Sequence, residues 1–141
     1  MSFKVVIPAR YASTRLPGKP LLQIAGKPMI QHVYEHAASS GADQVIIATD
    51  DDRIAETARS FSAEICITAS HHNSGTERIA EVVRVYNWNE DAIVVNLQGD
   101  EPGMPASLLA QVAQDMDAHP DASITTLATR IDSREHLFDP H

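Results

Sequence analysis

Three short stretches of the chain carry residue types that could do chemistry on an anion. The first is Pro8-Ala9-Arg10-Tyr11-Ala12-Ser13-Thr14-Arg15-Leu16-Pro17-Gly18-Lys19-Pro20-Leu21. Its small residues Ala9, Ala12 and Ser13 let backbone N–H groups come close to a phosphate-like group. Arg10, Arg15 and Lys19 add positive charge; an arginine fork can grip two oxygens at once, whereas a lysine is a mobile point charge. Neither of the common glycine-rich phosphate patterns, Gly-x-x-x-x-Gly-Lys-Ser/Thr or Gly-x-Gly-x-x-Gly, is present. The second stretch is Gln98-Gly99-Asp100-Glu101-Pro102. Mg²⁺ ions that serve nucleotides are held by one or two carboxylates plus phosphate oxygens, and Asp100 is the expected ligand. Glu101, its neighbour, is aimed elsewhere by strand alternation, and Gly99 permits a tight turn beside it. The third is His72-Asn73-Ser74-Gly75-Thr76-Glu77-Arg78. Ser74 and Glu77 have capping-box spacing, so a helix starts here, and its free N–H groups favour an anion or a carbonyl acceptor.

Each stretch also has a purely structural reading. The first could be a Pro/Gly surface loop with solvated charges, and Asp100 could cap a turn. A plain helix start explains Ser74 and Glu77 but not Arg78, because a cation in a first turn is unfavourable unless an anion lies nearby. The histidines carry less. His32 and His36 have i, i+4 spacing without the Glu of a His-Glu-x-x-His site and are read as solvent-facing. His71 and His72 are adjacent and point apart; His119, His136 and His141 lie in polar terminal stretches. Tyr86 and Trp88 read as the capped edge of a core.

The elements that must position these residues alternate in period. Residues 4–9, 44–49, 64–68, 92–97 and 123–129 are short apolar runs that read as strands. Between them lie helical patterns. One starts at Pro28 and continues through Met29, Ile30, Val33, Tyr34 and Ala37, to a stop at Gly41. Another is capped by Asp50 or Asp51, with Ile54, Ala55, Ala58 and Phe61 inward. A third follows Ser74 with Ile79, Val82, Val83 and Tyr86, and a fourth starts at Pro105 with Leu108, Leu109, Val112 and Met116 inward. Residues 132–138 allow one more turn. Apolar strands alternating with amphipathic helices imply an α/β fold, a doubly wound, mostly parallel sheet covered on both faces. Ligands of such sheets bind beyond the carboxyl ends of the strands, which points at the loop after Ala9, the loop before Ser74 and the turn after Leu97.

Composition bounds the function. The 141 residues make one domain with an ordinary apolar fraction of 43%. A net charge of −8 argues against a nucleic-acid binder. Yet no Asp or Glu precedes Glu35, while Lys4, Arg10, Arg15, Lys19 and Lys27 do, which suggests a local anionic ligand. Cys66 is the one cysteine, no apolar stretch reaches membrane-span length, and the N-terminus lacks a signal-peptide layout; these point to a cytoplasmic protein with no membrane partner.

Taken together, the three stretches resemble the 3-deoxy-manno-octulosonate (Kdo) cytidylyltransferase family, the CMP-Kdo synthetases. Gly26-Lys27-Pro28-Met29-Ile30 and Val45-Ile46-Ile47-Ala48-Thr49-Asp50 also resemble the family, in the expected order. CMP-sialate synthetases share the first loop in outline but do not usually carry Pro17-Gly18-Lys19-Pro20 or the Gly75-Thr76-Glu77-Arg78 string. The resemblance implies a nucleotidyltransferase-A, Rossmann-like fold, with residues 1–141 forming a CTP-binding domain that is incomplete at its C-terminal end. It implies transfer of CMP from CTP to Kdo with release of pyrophosphate, in lipopolysaccharide synthesis, by a Mg²⁺-dependent cytoplasmic enzyme that is usually a homodimer. It implies catalytic roles for Arg15, Lys19 and Asp100, with Asp100 on the metal. Substrate contacts are implied for Ala9, Arg10, Ser13, Arg15, Lys19, Ser74 and Arg78, with Gln98 near the sugar. Family members are longer, and the part beyond Asp139-Pro140-His141 normally supplies a second metal-binding Asp, much of the Kdo pocket and the dimer contacts. The alternatives are a non-catalytic nucleotide-binding fragment of that enzyme and a related CMP-sugar synthetase. Ser62 stands where the family commonly has Gly, a turn change without functional weight.

Overall fold

β-branched runs with no room for polar side chains become strands buried on both faces, and the chain begins with one. β1 is Lys4–Pro8, with Val5, Val6 and Ile7 each 0% exposed. The structure, a computed structural model, describes residues 2–12, 16–72 and 74–118, and the backbone of 128–129. After β1 come a 3-10 turn at Lys19–Leu21, strands β2 (Gln23–Ile24) and β3 (Lys27–Pro28), helix α1 (Met29–Ala38), β4 (Gln44–Thr49) and α2 (Asp52–Ser60). Then follow β5 (Glu64–Ile67), α3 (Gly75–Tyr86), β6 (Val94–Asn96), α4 (Ala106–Ala118) and β7 (Ala128–Thr129).

The main sheet has the order β5-β4-β1-β6-β7. The first four strands are parallel, and β7 runs antiparallel to β6. Alternation along β1 feeds two cores. Val5 and Ile7 pack with Ile47, Val95 and Leu97 against α1, α2 and α4, through Ile30, Val33, Ile54, Ala58, Leu109, Ala113 and Met116. Val6 packs on the other face with Ile46, Ala48, Cys66 and Val94 against Ile79, Val82 and Val83 of α3. The chain steps from β1 out to β4 and β5 with helices on one face, then returns across β1 to β6 with α3 on the other. Crossovers of one hand require that change of face when the direction reverses, so the expected doubly wound, mostly parallel sheet is present and its switch point lies between β1 and β6.

Several boundaries moved for local reasons. Pro28 is not the first helical residue; it sits at φ −58°, ψ 145° before Met29 and ends β3. The β2–β3 hairpin had no strand signal, because two-residue strands show no alternation. Its turn uses positive φ at both Ala25 (52°) and Gly26 (83°), the pattern of a mirror-image two-residue turn. Leu108 is 36% exposed rather than inward, and Ala113 takes the core position. His32 and His36 are only partly exposed; His32 Nε2 lies 2.5 Å from the Ile24 carbonyl, tying α1 to the hairpin. Ser62 sits at φ 64°, the left-handed region where glycine is unstrained, as suits the turn expected there. The expected strand at 123–129 is described only at Ala128–Thr129, and the turn at 132–138, His119, His136 and His141 fall outside the described residues.

Of the two aspartates that could cap α2, Asp51 does so. Its carboxylate accepts the N–H groups of Arg53 (2.8 Å) and Ile54 (3.2 Å) and also meets the Arg53 guanidinium at 2.8 and 3.2 Å. The Arg53 side chain, ahead of the two backbone donors, holds the Asp51 carboxyl below its ordinary value of 3.8. Asp51→Ala is expected to cost about 1 kcal/mol of stability, the usual worth of such a cap. The group titrates lower in the folded state, so its contribution is complete above the ordinary carboxylate value and is lost as pH falls through the depressed one. Urea denaturation of both proteins over a descending pH series should show the difference shrink toward acid.

Candidate functional site

The switch point gathers the three stretches. Ala9, 4% exposed, leaves the end of β1 with its N–H on the Ala48 carbonyl at 2.9 Å. Beside it the β6 chain turns back, and Gly99 N–H donates to the Pro8 carbonyl at 3.1 Å. A Cβ on residue 99 would stand 3.0 Å from Ala9 Cβ and 3.4 Å from that carbonyl oxygen. Gly99 lies in the expected tight turn, closed by the Glu101 N–H on the Gln98 carbonyl at 3.1 Å; its φ is not positive, so what favours glycine there is the close approach of two backbones. The N-terminus of α3 closes a third side: a Cβ on Gly75 would lie 3.0 Å from Gln98 Nε2 and 3.3 Å from Pro8 Cγ. Gln98 is oriented by donating to Asn96 Oδ1 at 3.2 Å.

Lys19 and Asp100, far apart in sequence, meet here, with Lys19 Nζ 3.5 Å from Asp100 Oδ2. Both side chains are nearly half exposed, at 42% and 45%, so the pair contributes little to stability and both groups are open to a ligand. Glu101 is turned away: its Oε1 accepts the Gln98 N–H at 3.0 Å and shapes the turn. Among the described residues no three His, Cys, Asp or Glu side chains are placed to hold a metal. An exposed carboxylate beside an exposed lysine nevertheless fits a Mg²⁺ ion that takes most of its oxygens from phosphates and water.

The first loop is closed at a neck. The Tyr11 carbonyl accepts the Gly18 N–H at 2.7 Å. Gly18 lies at φ 74°, and a Cβ there would come within 2.8 Å of the Tyr11 ring. On that ring sits the Arg53 guanidinium, 3.3 Å from the centroid, itself held by Asp51. Sequence reasoning gave Tyr11 and Arg53 no role; the aromatic inside a loop of small residues was the unused signal. Arg10 is exposed directly after Ala9. Ser13 and Arg15 lie outside the described residues.

Ser74 caps α3 as expected, accepting the Glu77 N–H at 3.2 Å. Thr76 Oγ1, in the same turn, is buried without a hydrogen-bond partner among the described residues. Arg78 is 5% exposed. Its Nη1 donates to Thr68 Oγ1 and to the Ala69 carbonyl (3.2 Å), and lies 3.5 Å from Asp50 Oδ1. The anion that tolerates a cation in this first turn is therefore Asp50 at the end of β4, and Arg78 joins α3 to the ends of β4 and β5. The basic opening segment is likewise not all aimed at a ligand. Lys4 pairs with Asp43 (2.8 Å) at the opposite end of β1, and Lys27 pairs with Glu35 (3.1 Å).

Residues 4–141 match the family described as cytidylyltransferase. The 3-deoxy-manno-octulosonate cytidylyltransferase of Thioalkalivibrio sulfidiphilus is 57% identical over all of this chain, which covers 56% of that protein. The protein of the same name from Coxiella burnetii is 53% identical, with 57% of it covered. Among solved structures, CMP:2-keto-3-deoxy-manno-octonic acid synthetase complexed with CTP aligns with a TM-score of 0.78 at 45% identity, over 85% of this chain and 49% of that one. The chain thus spans little more than half the length of the curated relatives it matches. No helix among the described residues is long and apolar enough to cross a membrane.

Proposed function

The chain belongs to the cytidylyltransferase family, and from that premise we propose that it carries the CTP-binding half of an enzyme joining CMP to Kdo for lipopolysaccharide synthesis. The observation that carries the reading is the meeting of Lys19 Nζ and the Asp100 carboxylate, 3.5 Å apart, at the switch point. A phosphate-binding cation and a metal-binding carboxylate are the two charges that a triphosphate needs at its reacting end.

In the proposed reaction the anomeric hydroxyl of Kdo attacks the α-phosphorus of CTP in line. A new P–O bond forms, the bond from the α-phosphorus to the oxygen it shares with the β-phosphate breaks, pyrophosphate leaves, and the hydroxyl proton passes to water. Positioning and charge neutralisation supply most of the acceleration in such transfers. Ala9, Arg10, Ser13 and the loop that follows receive the phosphates. Lys19, with Arg15, offsets the charge that grows on pyrophosphate. The end of β1, Ser74 and Gly75 form the wall for cytidine, Arg78 holds that wall in register, and Gln98 lies toward the sugar. Asp100, with phosphate oxygens, would hold a Mg²⁺ ion, which supplies neutralisation of the triphosphate charge when bound. A cytoplasmic homodimer completed by a second metal-binding carboxylate and the rest of the Kdo pocket is part of the proposal.

A second reading, that the chain binds CTP and turns nothing over, is favoured by its spanning little more than half the length of the relatives it matches. A pyrophosphate-release assay with CTP, Kdo and Mg²⁺ separates the two, since release by the purified chain defeats the second. Thermal-shift titrations with CTP, UTP and ATP test the base. A shift by UTP or ATP as large as that by CTP sinks the cytidylyl assignment, and replacing Kdo by another acid sugar tests for a related CMP-sugar synthetase.

A further inference from the structure

The segment between β5 and α3 is held by the helix it leads into. Glu81 Oε1, in the second turn of α3, accepts the Ala69 N–H at 3.0 Å and lies 2.6 Å from His72 Nε2. Glu77 Oε1 stands 3.8 Å from His72 Nδ1 on the other side of the ring. Arg78, from the same helix, holds Thr68 and the Ala69 carbonyl. Glu77, Arg78 and Glu81 share one helix face by their spacing, so one stripe of α3 reaches back and fixes the loop at residues 68, 69 and 72. The His72 side chain is only 7% exposed. The Glu81 carboxyl is held below its ordinary value, first by the Ala69 N–H and then by His72. An ionised carboxylate only accepts, so the ring proton on Nε2 is the one donated to it.

A helix start needs none of this, because Ser74 already caps α3. Burying a histidine between two carboxylates costs desolvation that an apolar pair would avoid. What the arrangement provides is geometry. Two residues beyond His72 stand Ser74 and then Gly75, whose Cα packs so closely on Gln98 and Pro8 that an added Cβ would be crowded, at 3.0 and 3.3 Å. A small shift of the loop would open or close that wall.

We propose that His72, anchored on Glu81, is a positioning residue that sets Ser74 and Gly75 against Pro8 and Gln98 and thereby tunes affinity for the base of the nucleotide. The inference rests on reading that wall as the cytidine side of the site. It excludes His72 from the chemistry and from the phosphate end.

His72→Ala and His72→Gln test it, because the Gln amide can replace Nε2–H as donor to Glu81. Amide hydrogen exchange is followed at residues 74–77 in the ligand-free chain, and CTP and inorganic pyrophosphate are titrated by calorimetry. His72→Ala is expected to speed exchange at 74–77 and to weaken CTP, each by about tenfold, the scale of one lost charge-assisted hydrogen bond. Pyrophosphate affinity should be unchanged, and His72→Gln should restore both values. Unchanged exchange at 74–77 in His72→Ala overturns the inference whether or not CTP binds, and so does pyrophosphate weakening in parallel with CTP. A wild-type chain that binds pyrophosphate but not CTP instead overturns the reading of the wall, with the exchange result still deciding the role of the anchor.

Discussion

In a full-length form of the proposed enzyme, Lys19→Ala should lower kcat for cytidylyl transfer by about 10²–10³-fold, the loss expected for one preorganised donor aimed at developing charge. The expectation follows from where the ammonium stands. It leaves a 3-10 turn at the foot of the first loop, and its partner in the ligand-free protein is the exposed Asp100 carboxylate. A half-exposed ion pair is worth at most about 1 kcal/mol, so the substitution should leave the fold intact and urea denaturation nearly unchanged. The kinetic signature distinguishes two roles. Equal losses in kcat and kcat/KM mean that Lys19 acts on the transition state, whereas a raised KM at constant kcat means that it only binds CTP. Turnover equal to wild type in the pyrophosphate-release assay removes Lys19 from the mechanism.

Arg78→Ala should be the costliest substitution for stability, by roughly 2–4 kcal/mol. Removing one member of a buried, hydrogen-bonded charge pair leaves its partners unsatisfied. Here those partners are Asp50, Thr68 and the Ala69 carbonyl. The upper part of the usual range is not reached, because the Asp50 side chain is 27% exposed and can recover water. Arg78→Lys should recover part of the loss, since an ammonium can face Asp50 but cannot span all three groups. Urea denaturation at neutral pH measures both. A loss below about 0.5 kcal/mol, the range of an ordinary surface change, would mean that the ends of β4 and β5 are not held through this guanidinium. The Lys19 and Arg78 variants thus separate chemistry from architecture within one constellation of cations.

The sheet was readable because its determinants are local. Runs such as Val5-Val6-Ile7 and Val45-Ile46-Ile47, short and β-branched, favour buried strands, and Asp51, Ser74 and Gly41 mark helix ends by short-range hydrogen bonds or backbone freedom. The meeting of Lys19 and Asp100 was also readable, since the alternation of elements brings the loops that carry them to the same ends of neighbouring parallel strands. Less local facts were not. Gly99 reads as the turn residue it is, but only the neighbouring β1 backbone shows how tightly a side chain would be crowded there. Lys4 and Lys27 counted toward a basic ligand site until Asp43 and Glu35 claimed them. His72 looked idle beside His71 because its partner, Glu81, lies on the far side of a loop and a helix turn. Tyr11 and Arg53 belong to elements that sequence spacing does not relate. Hydrophobic period fixes which face a residue takes within its own element; it says nothing about which polar group of another element stands opposite.

The measurement that bears most directly on the account is calorimetric titration of CTP into the purified chain with and without Mg²⁺, for wild type and Asp100→Asn. The account predicts that Mg²⁺ tightens CTP binding by about tenfold in wild type and has little effect on Asp100→Asn, because the proposal places nucleotide-borne metal at the carboxylate beside Lys19. Equal responses to Mg²⁺ in the two proteins would contradict it.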